Sequence, residues 1–245
     1  MSIAEGVAGF YIGNKCNINP GVAKTIGVYG DFGMGLGLGT AFLTDYTDDW
    51  GSKSLSTCVL VGSGAGLFGG NLLTDNEFYT VGDAHVLYAT GLLGAHLPLP
   101  ILDAIGVKDE KTMVVASMLG SVAGLGLGRK IARKHDFTTV QGIKIRLSEL
   151  VGACIGFGVA SIISLDERVE GSSIFITSSS IGAAGAFWAT YIMYAESAEI
   201  HEKNEKDFPL SIDIKPEGFL ALAMKKNFAP NREITLPLLS LTYKF

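Results

Sequence analysis

Two stretches hold residues whose types and spacing could do chemistry. Gly64-Ala65-Gly66-Leu67-Phe68-Gly69 matches G-x-G-x-x-G after the apolar residues 58–61, and Asp83 stands near the distance of a ribose-binding acid. In a strand–turn–helix unit, such glycines let a pyrophosphate approach the backbone at a helix N-terminus. The second stretch holds Asp83 and His85, with His96 eleven residues on, as the polar cluster inside an apolar run. Ionisable groups at membrane depth are expensive and often functional. Elsewhere no serine–histidine–aspartate, HExxH or Walker pattern occurs, so no catalytic, cofactor-binding or metal residue is assigned and no cofactor is expected. Cys16, Cys58 and Cys154 are far apart and in no CxxC spacing. They read as small buried thiols, not as a disulfide framework or a zinc site.

The elements around these residues decide between the readings. Glycines at 62, 66 and 70 return at 120, 124 and 128, an offset of 58 that also brings Ser63 onto Ser121, Leu67 onto Leu125 and Tyr79 onto Phe137. The copy keeps the four-residue spacing and loses the dinucleotide fingerprint. Gly62, Gly66, Gly70, Gly120, Gly124 and Gly128 therefore read as helix-packing positions, since residues four apart share a helical face. Gly152 and Gly156 are spaced alike, and Gly182 stands in the series Ser178, Gly182, Ala186, Thr190. Gly82-Asp83-Ala84 falls near the start of a predicted helix, where Asp83 suits the dipole and caps free N–H groups. His135 and His201 lie in charged links and read as solvated.

Six apolar runs carry this spacing: 25–43, 55–73, 79–106, 112–128, 147–164 and 173–195. Their length favours helix over strand, because strands seldom exceed about ten residues. Residues 25–43 leave a glycine-rich strand open, since every second residue from 33 to 39 is Gly. Pro98 and Pro100 require the third run to end, kink or continue irregularly. The fold class expected is mainly α, with repeated Gly-rich helical hairpins and a small β-rich C-terminal segment. Its parts are an N-terminal segment 1–22, hairpin repeats over 23–200 and a C-terminal β-hairpin segment 201–245. The copies span about 55–112 and 113–171, with a partial third at 173–195, and stacked copies would bury the face that one hairpin leaves open.

Composition points to the environment. Gly makes up 32 of 245 residues, charged residues are 18%, and mean hydropathy is positive at +0.35. Ordinary soluble domains hold about 25% charged residues, so the balance leans towards membrane. A net charge of −5 argues against a nucleic-acid partner, which needs a basic surface. The N-terminal residues show no basic region followed by a long apolar one, so no cleavable signal peptide is expected.

From residue 33 to about residue 190 the chain resembles glycine-zipper membrane proteins as a class. The resemblance implies close helix pairs held by dispersion and Cα–H···O contacts. If all six runs span, the face holding Lys15, Lys24, Arg129, Lys130, Arg133, Lys134, Lys144 and Arg146 is the basic one. Lys53, Lys108, Lys111 and Arg168 fall opposite, which fits an N-in, C-in orientation. Trp50, Trp188, Tyr191 and Tyr194 are candidate interfacial anchors. The functional expectation is a non-enzymatic membrane-embedded or envelope protein, structural or pore- or carrier-like. Its partners are membrane lipid and further copies of itself through the Gly-rich faces, and its place is a bacterial cell envelope. Two alternatives stand beside it. In the C-terminal ITLPLLSLTYKF, Leu239, Leu241, Tyr243 and Phe245 share one face, which resembles the closing strand of outer-membrane barrels and would suit an outer-membrane or surface-associated β protein. An ordinary amphipathic strand ending in Phe explains the same residues. The other alternative is a soluble enzyme using Gly64 to Gly69 for a nucleotide.

Overall fold

The computed structural model describes residues 19–44, 51–75, 77–164, 171–201, 210–214 and 239–243. Cys16, Trp50, Arg168 and nearly all of the expected segment 1–22 lie outside these. The chain divides into two compact units, Met1–Glu199 and Ile200–Phe245. The first unit is helical, and its helices begin where capping chemistry places them.

Helix α1 (Pro20–Leu43) starts with Pro at its first position, and Asn19 Oδ1 accepts the Gly21 N–H at 2.8 Å. Proline has no N–H to leave unsatisfied there. The strand alternative for residues 25–43 is thereby corrected: a helix lets those alternate glycines face different neighbours. Helix α2 (Gly51–Thr74) follows, and α3 (Val81–His96) opens with a capping box between Thr80 and Asp83. Pro98 then starts a separate short helix, α4 (Pro98–Ala104), because its ring cannot continue the ladder of α3. Gly106, at φ 80°, closes α4: its N–H donates to Asp103 O, and that of Val107 to Leu102 O, both at 3.0 Å. That pairing is a Schellman motif, which needs a left-handed residue. Asp109 caps α5 (Glu110–Ala132), and a second capping box, Thr138 with Gln141, opens α6 (Thr139–Ile163). The last helix is α7 (Gly171–His201).

Helix α1 packs most extensively on α2, and α3 on α5, while α3 also meets α1 and α6. Glycines of α6 and α7 lie against each other. The packed pairs are therefore α1–α2, α3–α5 and α6–α7, one helix out of phase with the copies 55–112 and 113–171. Helix α3 is the hub, with ten of its sixteen residues buried. Val86, Ala89 and Leu93 join Ile131, Phe137, Ile145 and Phe187 in one cluster, and Ala84 and Leu87 join Val28 and Leu125 in another.

Among the described residues, four helical stretches are long and apolar enough to cross a membrane: Leu55–Thr74, Val81–Ala104, Glu110–Ala132 and Thr139–Ile163. Six were expected. Helix α1 carries Lys24 and Asp31 among many glycines, and α7 is rich in serine, which dilutes both. In the second unit, β1 (Leu210–Ile214) pairs antiparallel with β2 (Leu239–Tyr243), Ile212 opposite Leu241. A lone two-stranded ribbon is marginal, and the residues flanking it are not described, so a β-rich segment over 201–245 is not established.

Candidate functional site

The glycines of the expected packing face sit where two backbones meet. A Cβ on Gly62 would overlap the carbonyl oxygen of Gly33, and one on Gly66 that of Tyr29, while Gly70 abuts the Tyr29 side chain. On α5, Gly120 faces Gly94 O, Gly124 faces Thr90 O and Gly128 faces the Thr90 hydroxyl. Gly152 and Gly182 face each other's carbonyl oxygens, and Gly156 faces Ser178 O. The nine positions are thus divided among three helix pairs. By contrast, an added Cβ at Gly64 or Gly69 would meet nothing within 4 Å. The whole G-x-G-x-x-G stretch lies inside the unbroken helix α2, which lacks the strand and turn that a pyrophosphate site requires.

The polar cluster separates into two roles. Asp83 is fully buried and fastens chain: its Oδ2 accepts the Thr80 N–H at 2.8 Å and its Oδ1 the Phe137 N–H at 3.0 Å. Thr80 Oγ1 donates to Phe137 O at 2.6 Å. The first turns of α3 and α6 are stitched together here, and Gly82 and Gly142 let them touch. Gly21 likewise rests on the carbonyl of Tyr79, so α1, α3 and α6 all begin at the same end of the bundle.

His85 and His96 instead line one lateral cleft of about 550 Å³ between α3, α6 and α7, together with Tyr88, Arg146, Leu150 and Glu149. Lys24 Nζ lies 2.8 Å from His85 Nε2. With the ammonium donating, Nε2 accepts and Nδ1 carries the imidazole proton; that Nδ1 has no hydrogen-bond partner among the described residues. The Arg146 guanidinium lies 3.9 Å from the centre of the Tyr88 ring, a cation–π arrangement. Glu149, 6% exposed, keeps Oε2 unpaired. Sequence reasoning counted Lys24 and Arg146 only as charges of the basic face and passed over Glu149. A lone acid two residues inside the fifth run was the available signal for Glu149, and nothing in the sequence brings Lys24 to His85.

A second polar group lies in the link between α2 and α3. Glu77 accepts from Arg129 at 2.8 Å and from the Tyr79 hydroxyl at 2.5 Å, with Arg133 at 3.4 Å. Arg129 also reaches Leu73 O at 3.0 Å. Burial raises the Glu77 carboxyl, but the hydrogen bonds from Arg129 and Tyr79 and the two arginine charges outweigh it, so it sits below the usual range. Burial first, and the Glu77 carboxylate second, push the Tyr79 phenol up. Beside this clamp, a largely apolar groove of about 700 Å³ runs between α1, α2 and α5 past Phe32, Leu36, Val61, Val122 and Arg129.

Two sequence expectations are corrected. His135 is 6% exposed, not solvated, because it lies between the rings of Phe137 at 5.9 Å and Tyr191 at 6.1 Å. Cys154 is exposed and Cys58 half-buried, although the Cys58 carbonyl itself backs Gly37 in the α1–α2 contact. Trp188 is 40% exposed while edge-packed on Phe187 and Tyr191. Compared with known protein families, curated proteins and solved structures, the chain matches none.

Proposed function

We propose that this protein is a non-enzymatic integral membrane protein, with a structural or carrier-like role, assembled from glycine-faced helix pairs. One observation carries the reading. The small residues lie inside, and large apolar side chains such as Leu60 at 71%, Phe68 at 68%, Leu119 at 66% and Ile162 at 71% exposure lie outside. In water, contiguous apolar patches beyond a few hundred Å² are rare on monomers; in hydrocarbon the same surface is at home. Lipid gives helices no hydrophobic drive to associate, which makes close backbone approach at small residues the means of holding them. Further copies would associate through outward glycines, and the short C-terminal strands would form an accessory ribbon. The buried polar groups of the α3–α6 cleft favour a carrier-like over a purely structural role.

The reading is tested by extraction of membranes from cells expressing the full chain. The protein is expected to stay in the pellet through alkaline carbonate and to enter solution only with detergent. Release by carbonate or plain buffer would sink it.

A further inference from the structure

We infer that the cleft between α1, α3 and α6 binds an anionic phospholipid, with the phosphate held by Lys24, His85 and Arg146 and an acyl chain lying along Leu92, Leu147 and Leu150. The inference rests on the membrane-embedded reading and names a ligand for it.

The three phosphate-holding residues come from three helices that begin level with one another. Because the first turns of α1, α3 and α6 touch at Gly21, Gly82 and Gly142, positions counted from each cap are level. Lys24 and His85 each follow their cap, Asn19 and Thr80, by five residues. At about 1.5 Å per residue they lie roughly 7 Å inside the helix ends, near the headgroup boundary, and Arg146, eight residues after Thr138, lies roughly 12 Å inside. Lys24, His85 and Arg146 also line a smaller cavity of about 270 Å³, which shares His85, Tyr88 and Arg146 with the larger cleft. The pair forms one lateral channel with a cationic end and an apolar length, which is the chemical profile of a phospholipid.

His85 supplies the independent observation. It is 8% exposed, and the proton on its Nδ1 has no acceptor among the described residues. Leaving a buried donor unpaired costs about 1–3 kcal/mol, and a phosphate oxygen met by Nδ1 as the ring turns towards the cavity would relieve that cost. Lys24 keeps two further N–H groups after meeting His85, and the donors of Arg146 lie in the plane of its fork, off the Tyr88 ring. Acceptor oxygens carrying negative charge satisfy all three. Asp31 opposes an anion from the lining of the smaller cavity, but it stands two helical turns deeper than Lys24. Glu149, one turn deeper than Arg146, is a second acidic group in the lining and opposes an anion from the larger cleft.

The test uses the full chain purified in detergent and measures binding of phosphatidylglycerol and phosphatidylcholine by native mass spectrometry. Phosphatidylglycerol is expected to bind at least about fivefold more tightly, and Lys24→Gln and Arg146→Gln each to weaken it by roughly fivefold, the equivalent of about one basic contact. Lys130→Gln and Lys144→Gln should change it by less than about twofold. If the charge variants lose helical signal, Leu150→Trp decides instead: Leu150 is 61% exposed, so the change blocks the acyl track without disturbing the core and should abolish the preference. Equal binding of the two lipids, or an equal loss in the lysine controls, would overturn the site. So would inorganic phosphate displacing the lipid as well as phosphatidylglycerol does. Release of the protein by carbonate would instead overturn the membrane reading itself, whereas retention without lipid preference removes only the lipid site.

Discussion

Gly62 and Gly64 are the same residue type, two positions apart on one helix, under opposite constraints. A methyl group at 62 meets the Gly33 carbonyl and lies 2.9 Å from Gly37 Cα, while one at 64 meets nothing within 4 Å. Gly62→Ala should therefore force α1 and α2 apart and lower stability by about 1–3 kcal/mol, as overpacking does. Gly64→Ala removes only backbone freedom and should be neutral or stabilise by up to about 1 kcal/mol. Denaturation of both variants in detergent gives the two signs, and equal effects would show that the α1–α2 contact is not close. Glu77 sets a second residue-scale expectation. Its folded carboxyl lies below its ordinary value of 4.5, so the clamp to Arg129 contributes fully above that pH and fades as pH falls through the lower, folded value. Wild type should exceed Glu77→Gln in stability by a constant margin above pH 4.5 and lose that margin on further acidification. A margin unchanged down to pH 2 would remove the ion pair from the account.

Among the elements, α3 is the one whose placement organises the rest, and Asp83 fixes its start. The carboxylate has two acceptor oxygens and uses both on backbone N–H groups, one in its own cap and one at Phe137 ahead of α6. Asp83→Asn retains one acceptor and turns an amide towards the other donor. It should cost about 1–3 kcal/mol, the penalty for a buried unsatisfied group, and Thr80→Val should cost about 1 kcal/mol as a lost cap. Thermal unfolding of the two variants checks the order, and an Asp83→Asn protein as stable as wild type would deny the stitch between α3 and α6. This element also shows what the sequence could convey. The six runs, the break at Pro98 and the cap at Asp83 are local, and each was legible from periodicity and residue type. The pairing of α1 with α2 was not, because an offset of 58 relates α2 to α5 and is silent about which neighbour α2 meets. For the same reason His135 was misread: its charged neighbours are local, while Tyr191, which helps to bury it, is 56 positions away. Lys24, His85 and Arg146 come together only through touching glycines at three helix starts, a coincidence no spacing rule contains.

At the scale of the whole molecule, the outward apolar surface turns the two described cysteines into reporters of what surrounds the protein. Cys154 is exposed on α6, beside the exposed Val151, Ile155 and Phe157, and Cys58 is half-buried at the edge of the α1–α2–α5 groove. Both stand within stretches able to cross a membrane. A thiol reacts as its thiolate, which needs water or a positive environment to form, and hydrocarbon supplies neither. In a Cys16→Ser background, intact membranes should therefore leave both thiols unlabelled by a charged maleimide, although Cys154 is geometrically open. A small apolar maleimide should reach Cys154 first, and detergent should admit the charged reagent by wetting the same face. A water-soluble bundle of identical geometry predicts the opposite, rapid labelling of Cys154 by the charged reagent without detergent. Ready labelling in untreated membranes would therefore mean that the exposed face of α6 meets water, and would withdraw the support that the outward apolar surface gives to membrane embedding.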